Sequence, residues 1–210
     1  MELNPRITAL EHDPRRPGTL RLEIDGARFG AVPREVAGAE GLAVGREVDA
    51  ELLERLGAAA DIEAAYRTAI RCLELRSYAR SDLGRRLQRK GHPRHAVEVA
   101  LERAAALGLL DDEVYARNYV QTRSARGRGP LRLTRDLLAL GVQRSLIDRA
   151  LDAEWPEGSD RSSVPLALAT KRAAQLGTLP RQTRRRRVLA YLARRGFSGR
   201  EVTEIVERVV

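Results

Sequence analysis

The chain of 210 residues has a single cysteine, Cys72, so no disulfide can form within it. Of its three histidines, His92 and His95 are three residues apart, while His12 is far away and Cys72 lies mid-helix. A metal site draws three or four converging ligands, so no metal and no cofactor is expected. Cys72 sits beside Leu73 with no histidine paired to it, so it is not read as a nucleophile. No paired carboxylates or other catalytic constellation stands out, and the chain is read as a non-enzyme. Aromatic residues are scarce, at 4%, so the cores must be built from leucine, valine and alanine. No run of 18 apolar residues occurs, which excludes a membrane-spanning helix of ordinary length and predicts no membrane partner. The opening MELNPRITALEHD lacks the basic start and apolar core of a signal peptide. With the low cysteine usage, this leads to the expectation of a cytoplasmic protein.

Lysine is also scarce, with 36 arginines against 2 lysines, a ratio that a GC-rich coding sequence explains without any special guanidinium chemistry. The distribution of charge says more. Residues 1–58 carry 8 basic and 11 acidic side chains, whereas residues 161–210 carry 12 and 3. The last fifty residues thus supply a charge of +9, equal to the net charge of the whole chain. Such asymmetry points to a polyanionic partner, a nucleic acid or an acidic protein face.

The chain is organised by an internal repeat. Leu83-Leu87-Gly91, Leu133-Leu137-Gly141 and Val188-Leu192-Gly196 share one spacing, at periods of 50 and 55 residues. Six, nine and ten residues beyond each glycine, apolar residues return: Val97, Ala100 and Leu101; Ile147, Ala150 and Leu151; Val202, Ile205 and Val206. The spacing before each glycine is that of an amphipathic helix, and the glycine suits a left-handed C-terminal cap. The predicted fold is therefore mainly α: three tandem three-helix repeats in an elongated array, preceded by a small β-meander with short helices.

The predicted boundaries are an N-terminal extension at 1–57, repeats at 62–108, 109–155 and 164–210, and a linker at 156–163. In the extension, 7–12 and 19–25 read as strands, the second alternating cleanly, with a turn at 14–18 and a hairpin at Asp25-Gly26 leading to a strand at 27–32. Pro33 opens a short helix, and a further helix covers 49–56. Gly57 to Ala60 reads as a joint of small residues, with Asp61 capping a new helix over 62–76. Ser81, Pro93, Asp111 or Asp112, Pro130, Pro165 and Ser198 mark later helix starts. Trp155 is expected to pack on the second repeat, and Pro156 to Ser163 to form a flexible join.

Two arginine groups are candidate contacts. The run Arg184, Arg185, Arg186 and Arg187, with Arg194 and Arg195 after it, could hold phosphates or could be a solvated helix face. In Arg126-Gly127-Arg128-Gly129-Pro130, the free amides of a helix start could hold an anion, or the glycines could serve only a tight turn. Arg126, Arg128 and Arg132 are candidate contacts under either reading. The stretch has no Gly-Lys-Ser/Thr and is not a P-loop. Tyr115 and Tyr119 share one helical face and are read as core rather than as a platform for bases. Asp111, Asp112 and Glu113 are read as helix caps rather than cation ligands.

The central stretch Leu107-Gly108-Leu109-Leu110-Asp111-Asp112, Tyr115-Ala116, Tyr119, Arg123 and Gly127-Arg128-Gly129-Pro130 resembles the signature of the RecX family of regulatory proteins. Leu73, Arg76, Ser77, Leu83, Leu87 and Lys90-Gly91 before it, and Leu133, Leu137 and Gly141-Val142 after it, extend the resemblance, which covers about residues 62–210. Three positions depart from the family pattern: Leu107 stands where glutamate is frequent, Tyr115 where phenylalanine is commoner, and Pro130-Leu131 where isoleucine often begins the helix. The resemblance implies a monomeric cytoplasmic protein that binds the RecA recombinase filament on single-stranded DNA. It implies that the protein impedes ATP hydrolysis, strand exchange and co-protease activity, and so affects DNA repair, recombination and the SOS response. Single- or double-stranded DNA would be met through the basic faces. The competing reading is a stand-alone basic helical DNA-binding protein.

Overall fold

A computed structural model describes residues 4–14 and 16–210. Met1, Glu2, Leu3 and Arg15, the last within the predicted turn at 14–18, lie outside them. The described residues form a mainly helical protein with a small three-stranded antiparallel sheet at its N-terminal end. They divide into two compact units, one up to Tyr78 with residues 82–110, the other residues 79–81 with 111–210.

The first unit begins with the meander β1 (Ile7–His12), β2 (Thr19–Ile24) and β3 (Ala27–Pro33), paired in that order. Alternation in β2 works as period two demands: Leu20, Leu22 and Ile24 are buried while Arg21 is exposed. Asp25 and Gly26 both have positive φ, 50° and 77°, the backbone that a tight type I′ hairpin needs. A short helix α1 (Arg34–Ala39) follows. The sheet has too little core of its own, and Ile7, Leu20, Leu22, Ile24 and Val32 bury themselves with Val48, Leu52 and Leu56.

Leu52 and Leu56 belong to α2 (Ala50–Leu75), and here the structure departs from the sequence reading. The predicted helices at 49–56 and 62–76 are one helix of 26 residues, about 39 Å long at 1.5 Å per residue. Asp49 caps it, its carboxylate accepting from the Leu52 amide at 2.7 Å, while Asp61 lies mid-helix and caps nothing. Gly57 costs the helix about 1 kcal/mol, but three alanines follow, the best helix formers. Small side chains there serve packing: a β-carbon on Gly30 of β3 would sit 2.9 Å from the Ala60 Cβ.

The C-terminal half of α2 packs with α3 (Arg80–Arg89) and α4 (Arg94–Ala106) around Ala69, Cys72, Leu83, Leu87, Val97 and Leu101. Ser81, expected to cap α3, instead lies inside it.

The second unit holds α5 (Asp112–Ser124), α6 (Pro130–Leu140), α7 (Arg144–Glu154), α8 (Ser163–Gln175), α9 (Arg181–Arg195) and α10 (Arg200–Val209). Asp111 caps α5, its Oδ1 accepting from the amides of Glu113 at 2.8 Å and Val114 at 3.0 Å. Asp112 does another task, accepting from the Arg80 amide at 2.7 Å. Ala116, Val120, Leu133, Leu137, Val142, Ile147 and Ala150 form one core, with Trp155 against it as expected. Ala169, Val188, Leu192, Phe197, Val202, Ile205 and Val206 form another. Gly199 rather than Ser198 precedes α10 as its cap residue, with no side-chain cap.

The repeat frame has one physical meaning in all three copies. The two apolar residues before each glycine are fully buried, and Gly91, Gly141 and Gly196 have φ of 90°, 84° and 95°. Each glycine ends its helix in the left-handed conformation that a β-carbon disfavours. Eight of the nine apolar positions beyond the glycines are buried, Leu151 being partly exposed.

Candidate nucleic-acid interface

The turn between α5 and α6 is built by backbone. Gly127, at φ 73°, reverses the chain, its amide donating to the Ser124 carbonyl at 2.7 Å and the Arg128 amide to Arg123 at 3.1 Å. Ser124 is buried beneath, bonded to Glu154 Oε1 at 2.5 Å. Pro130 then takes the first position of α6, where its missing N–H costs nothing.

The free amides of this helix start are occupied. The Gly129 amide donates to the Arg195 carbonyl at 2.7 Å and the Leu131 amide to the Gly196 carbonyl at 3.3 Å. The negative end of α9 thus docks on the positive end of α6, the orientation their dipoles favour. The anion reading of these amides is therefore corrected: carbonyl oxygens of the same chain fill the place a phosphate would take. Arg195 completes the joint by donating from Nη1 to the carbonyls of Arg126 at 3.0 Å and Gly127 at 3.3 Å.

This joint gathers side chains from 123–132 and 191–195 around one open cleft of about 560 Å³. Its lining is Arg123, Arg126, Arg128, Arg132, Tyr191, Arg194 and Arg195, six guanidinium groups and one ring, with no carboxylate among them. One acid lies close behind: Asp136 holds Arg128 Nη1 and Arg132 Nε, each at 2.8 Å. Arg126 and Arg194 have no ion pair among the described residues and are exposed. Arg123 lies over the Tyr119 ring at 5.2 Å, and Arg195 and Arg172 lie over Tyr191 at 5.2 and 5.7 Å. Guanidinium groups held flat and close together match phosphate oxygens in geometry as well as charge.

The candidates from the sequence thus separate. Arg126, Arg128, Arg132, Arg194 and Arg195 come together. Arg184 to Arg187 do not line this cleft. Arg184 donates to the Val210 carbonyl at 2.5 Å and Arg185 pairs with Glu207 at 2.9 Å, so both tie α9 to the end of the chain. Arg186 and Arg187 are exposed. Sequence reasoning did not mark Arg123 and Tyr191 as contacts. A signal for them existed: Tyr119 and Arg123, like Tyr191 and Arg195, are four residues apart, the spacing that stacks side chains on a helix.

The other candidates have structural roles. Tyr115 and Tyr119, with ring centres 6.0 Å apart, are half-buried against the core of α5–α7. His92 bonds Thr68 through Nε2 at 3.0 Å, and burial lowers its pKa from the ordinary histidine value. Cys72 is buried in the core around α2.

The chain is similar to known proteins. Residues 111–151 match the family described as RecX, second three-helix domain. A regulatory protein RecX of Mycobacterium ulcerans is 34% identical over 145 residues, covering 69% of this chain and 83% of that protein. One from Halorhodospira halophila is 33% identical over 146 residues, covering 69% and 88%. A crystal structure of regulatory protein RecX is similar with TM-score 0.77 at 26% identity, covering 97% of this chain and 99% of the other. RecX from Lactobacillus salivarius shares the fold, with TM-score 0.61 at 20% identity over 71% of this chain and 96% of the other.

Proposed function

The chain belongs to the RecX family of regulatory proteins, and from that premise we propose that it binds the RecA filament on single-stranded DNA and restrains it. The activities restrained are ATP hydrolysis, strand exchange and co-protease activity. The working parts are three helical repeats, 62–108, 109–155 and 164–210, joined at 156–163, with the sheet-bearing extension fused to the first through α2. The protein acts as a cytoplasmic monomer and performs no chemistry of its own. Among the described residues, no helix is long and apolar enough to cross a membrane.

The observation that carries the reading beyond family membership is the six-arginine cleft. A filament on single-stranded DNA presents phosphates in a regular row. A cleft rich in guanidinium and poor in carboxylate has the charge to face them. Arg126 and Arg194, which have no ion pair among the described residues, would meet phosphate without first giving up such a partner. Arg128 and Arg132, held by Asp136, keep the wall in place.

The test is affinity. Labelled protein is titrated into preassembled RecA filaments and into the same DNA without RecA, at two salt concentrations. Tighter binding to the filament at both salts supports the reading. Equal or tighter binding to naked DNA, falling steeply with salt, would make the protein a stand-alone basic DNA-binding protein.

A further inference from the structure

The first unit carries a second gathering of guanidinium groups, three of them in the stretch 1–58 whose sequence is acidic overall. Arg16 from the turn after β1, Arg21 from β2, Arg28 from β3 and Arg67 from α2 line one cleft of about 440 Å³. Two carboxylates share the lining, Asp13 and Glu23. Asp13 is already engaged with Arg21 at 2.9 Å. Glu23 faces Arg28 across the β2–β3 ladder, but no ion pair joins them. Among the described residues, Arg16, Arg28 and Arg67 have no carboxylate within ion-pair distance.

Arg67 brings α2 to this cleft. It is half-buried, and its Nε is shut off from solvent with no hydrogen-bond partner among the described residues. Burial lowers its pKa, with repulsion from Arg16, Arg71 and Arg28 adding to the effect and Glu63 opposing it. Glu63 itself is bonded to Arg103 at 3.1 Å, so it offers Arg67 only part of its charge. A buried donor without an acceptor, surrounded by like charge, is costly to a fold. An anion in the cleft offsets the repulsion among Arg16, Arg28 and Arg67.

We propose that the cleft lined by Arg16, Arg21, Arg28 and Arg67 is a phosphate-binding site. It takes one phosphate group, from a nucleic-acid strand or as free phosphate. Several converging guanidinium groups suit the tetrahedral oxygens of phosphate. Asp13 and Glu23 share the lining, so the charge of the cleft suits a single anionic group rather than several side by side. The site lies wholly within the first unit, and it stands or falls without RecA.

The test is thermal unfolding of the full chain with inorganic phosphate, against sodium chloride at the same ionic strength. The six-arginine cleft would respond to phosphate as well, so the quantity read is the part of the shift that R28Q removes. Arg28 is exposed, and its loss should leave the fold intact. Phosphate is expected to raise Tm by about 1–3 °C through this site. R28Q and R67Q should each lose that increment, while the double variant R126Q/R194Q keeps it. An oligothymidylate titration of wild type and R28Q separates the sources. Affinity reduced several-fold in R28Q assigns the site to a nucleic-acid strand, and unchanged affinity assigns it to free phosphate. A phosphate shift that survives in full in both R28Q and R67Q, or no phosphate-specific shift at all, would overturn the proposal.

Discussion

Gly129 and Gly196 meet backbone to backbone. A β-carbon on Gly129 would lie 2.5 Å from the Gly196 carbonyl oxygen, and one on Gly196 would lie 2.5 Å from the Arg132 Cβ. The contact lets the carbonyl end of α9 reach the amide start of α6, and that approach brings Arg194 and Arg195 beside Arg126, Arg128 and Arg132. One glycine thus ends α9 and also helps to assemble the basic cleft.

The repeat glycines are accordingly unequal. Gly91→Ala meets no atom within 4 Å and should cost only the left-handed strain, about 1–2 kcal/mol. Gly196→Ala carries the same strain and also overpacks the joint, for a total loss of about 2–5 kcal/mol. Urea unfolding of the two variants checks this, and equal losses would deny the joint its close packing.

Charge reversal should separate the two arginine groups. Arg126→Glu with Arg194→Glu is expected to weaken DNA and filament binding at least tenfold and to lower the salt slope by about 2. Arg184→Glu should act instead on stability, because it loses the bond to the Val210 carbonyl. Binding isotherms at several salt concentrations, beside thermal melts, read both effects. Normal binding by the Arg126/Arg194 variant would remove the cleft from the interface.

Asp136 restrains the cleft. It holds Arg128 and Arg132 by ion pairs, and Tyr119 Oη lies 3.5 Å from its Oδ2. Asp136→Asn should free two guanidinium groups, raise affinity for oligothymidylate several-fold and cost about 1 kcal/mol of stability. Lower affinity in a folded variant would mean that the ordered wall matters more than the released charge.

His92 gives a pH dependence with a definite sign. Burial holds its folded-state pKa below the ordinary value of 6.5, with Asp61 partly opposing. The unfolded chain therefore takes up the proton first as pH falls. The contribution of His92 to stability is full above about pH 6.5 and fades as pH drops through the folded pKa. Urea unfolding at pH 7.5 and 5.5 should show a smaller loss for His92→Gln than for the wild type. An equal loss in both would assign the pH dependence to other groups.

Much of the fold is legible because it rests on local chemistry. Alternation in β2, the Asp25-Gly26 turn, Asp111 as a cap and the left-handed glycines each express a rule that acts within a few residues. The continuity of α2 was not legible. Gly57 reads as a break, and only the sheet packed against Ala60 shows why small residues belong inside a helix. Ser81 and Ser198 have the right chemistry for caps, but the helix starts lie elsewhere. The candidate site was legible in part for the same reason. Arg126, Arg128, Arg194 and Arg195 could be picked as charges near glycines, yet their meeting depends on a backbone contact across 66 residues, Gly129 N to Arg195 O. The run Arg184 to Arg187 is the densest charge in the sequence, and its first two members are turned to intramolecular bonds.

The most direct test of the central claim is the DNA-dependent ATPase rate of the cognate RecA as this protein is added, with binding to the same DNA alone followed in parallel. The account predicts a fall in rate well below one protein per RecA, at concentrations that leave naked DNA largely free, and a weaker fall with the Arg126→Glu/Arg194→Glu variant. A rate that falls only when the protein coats the DNA, or does not fall at all, would contradict it.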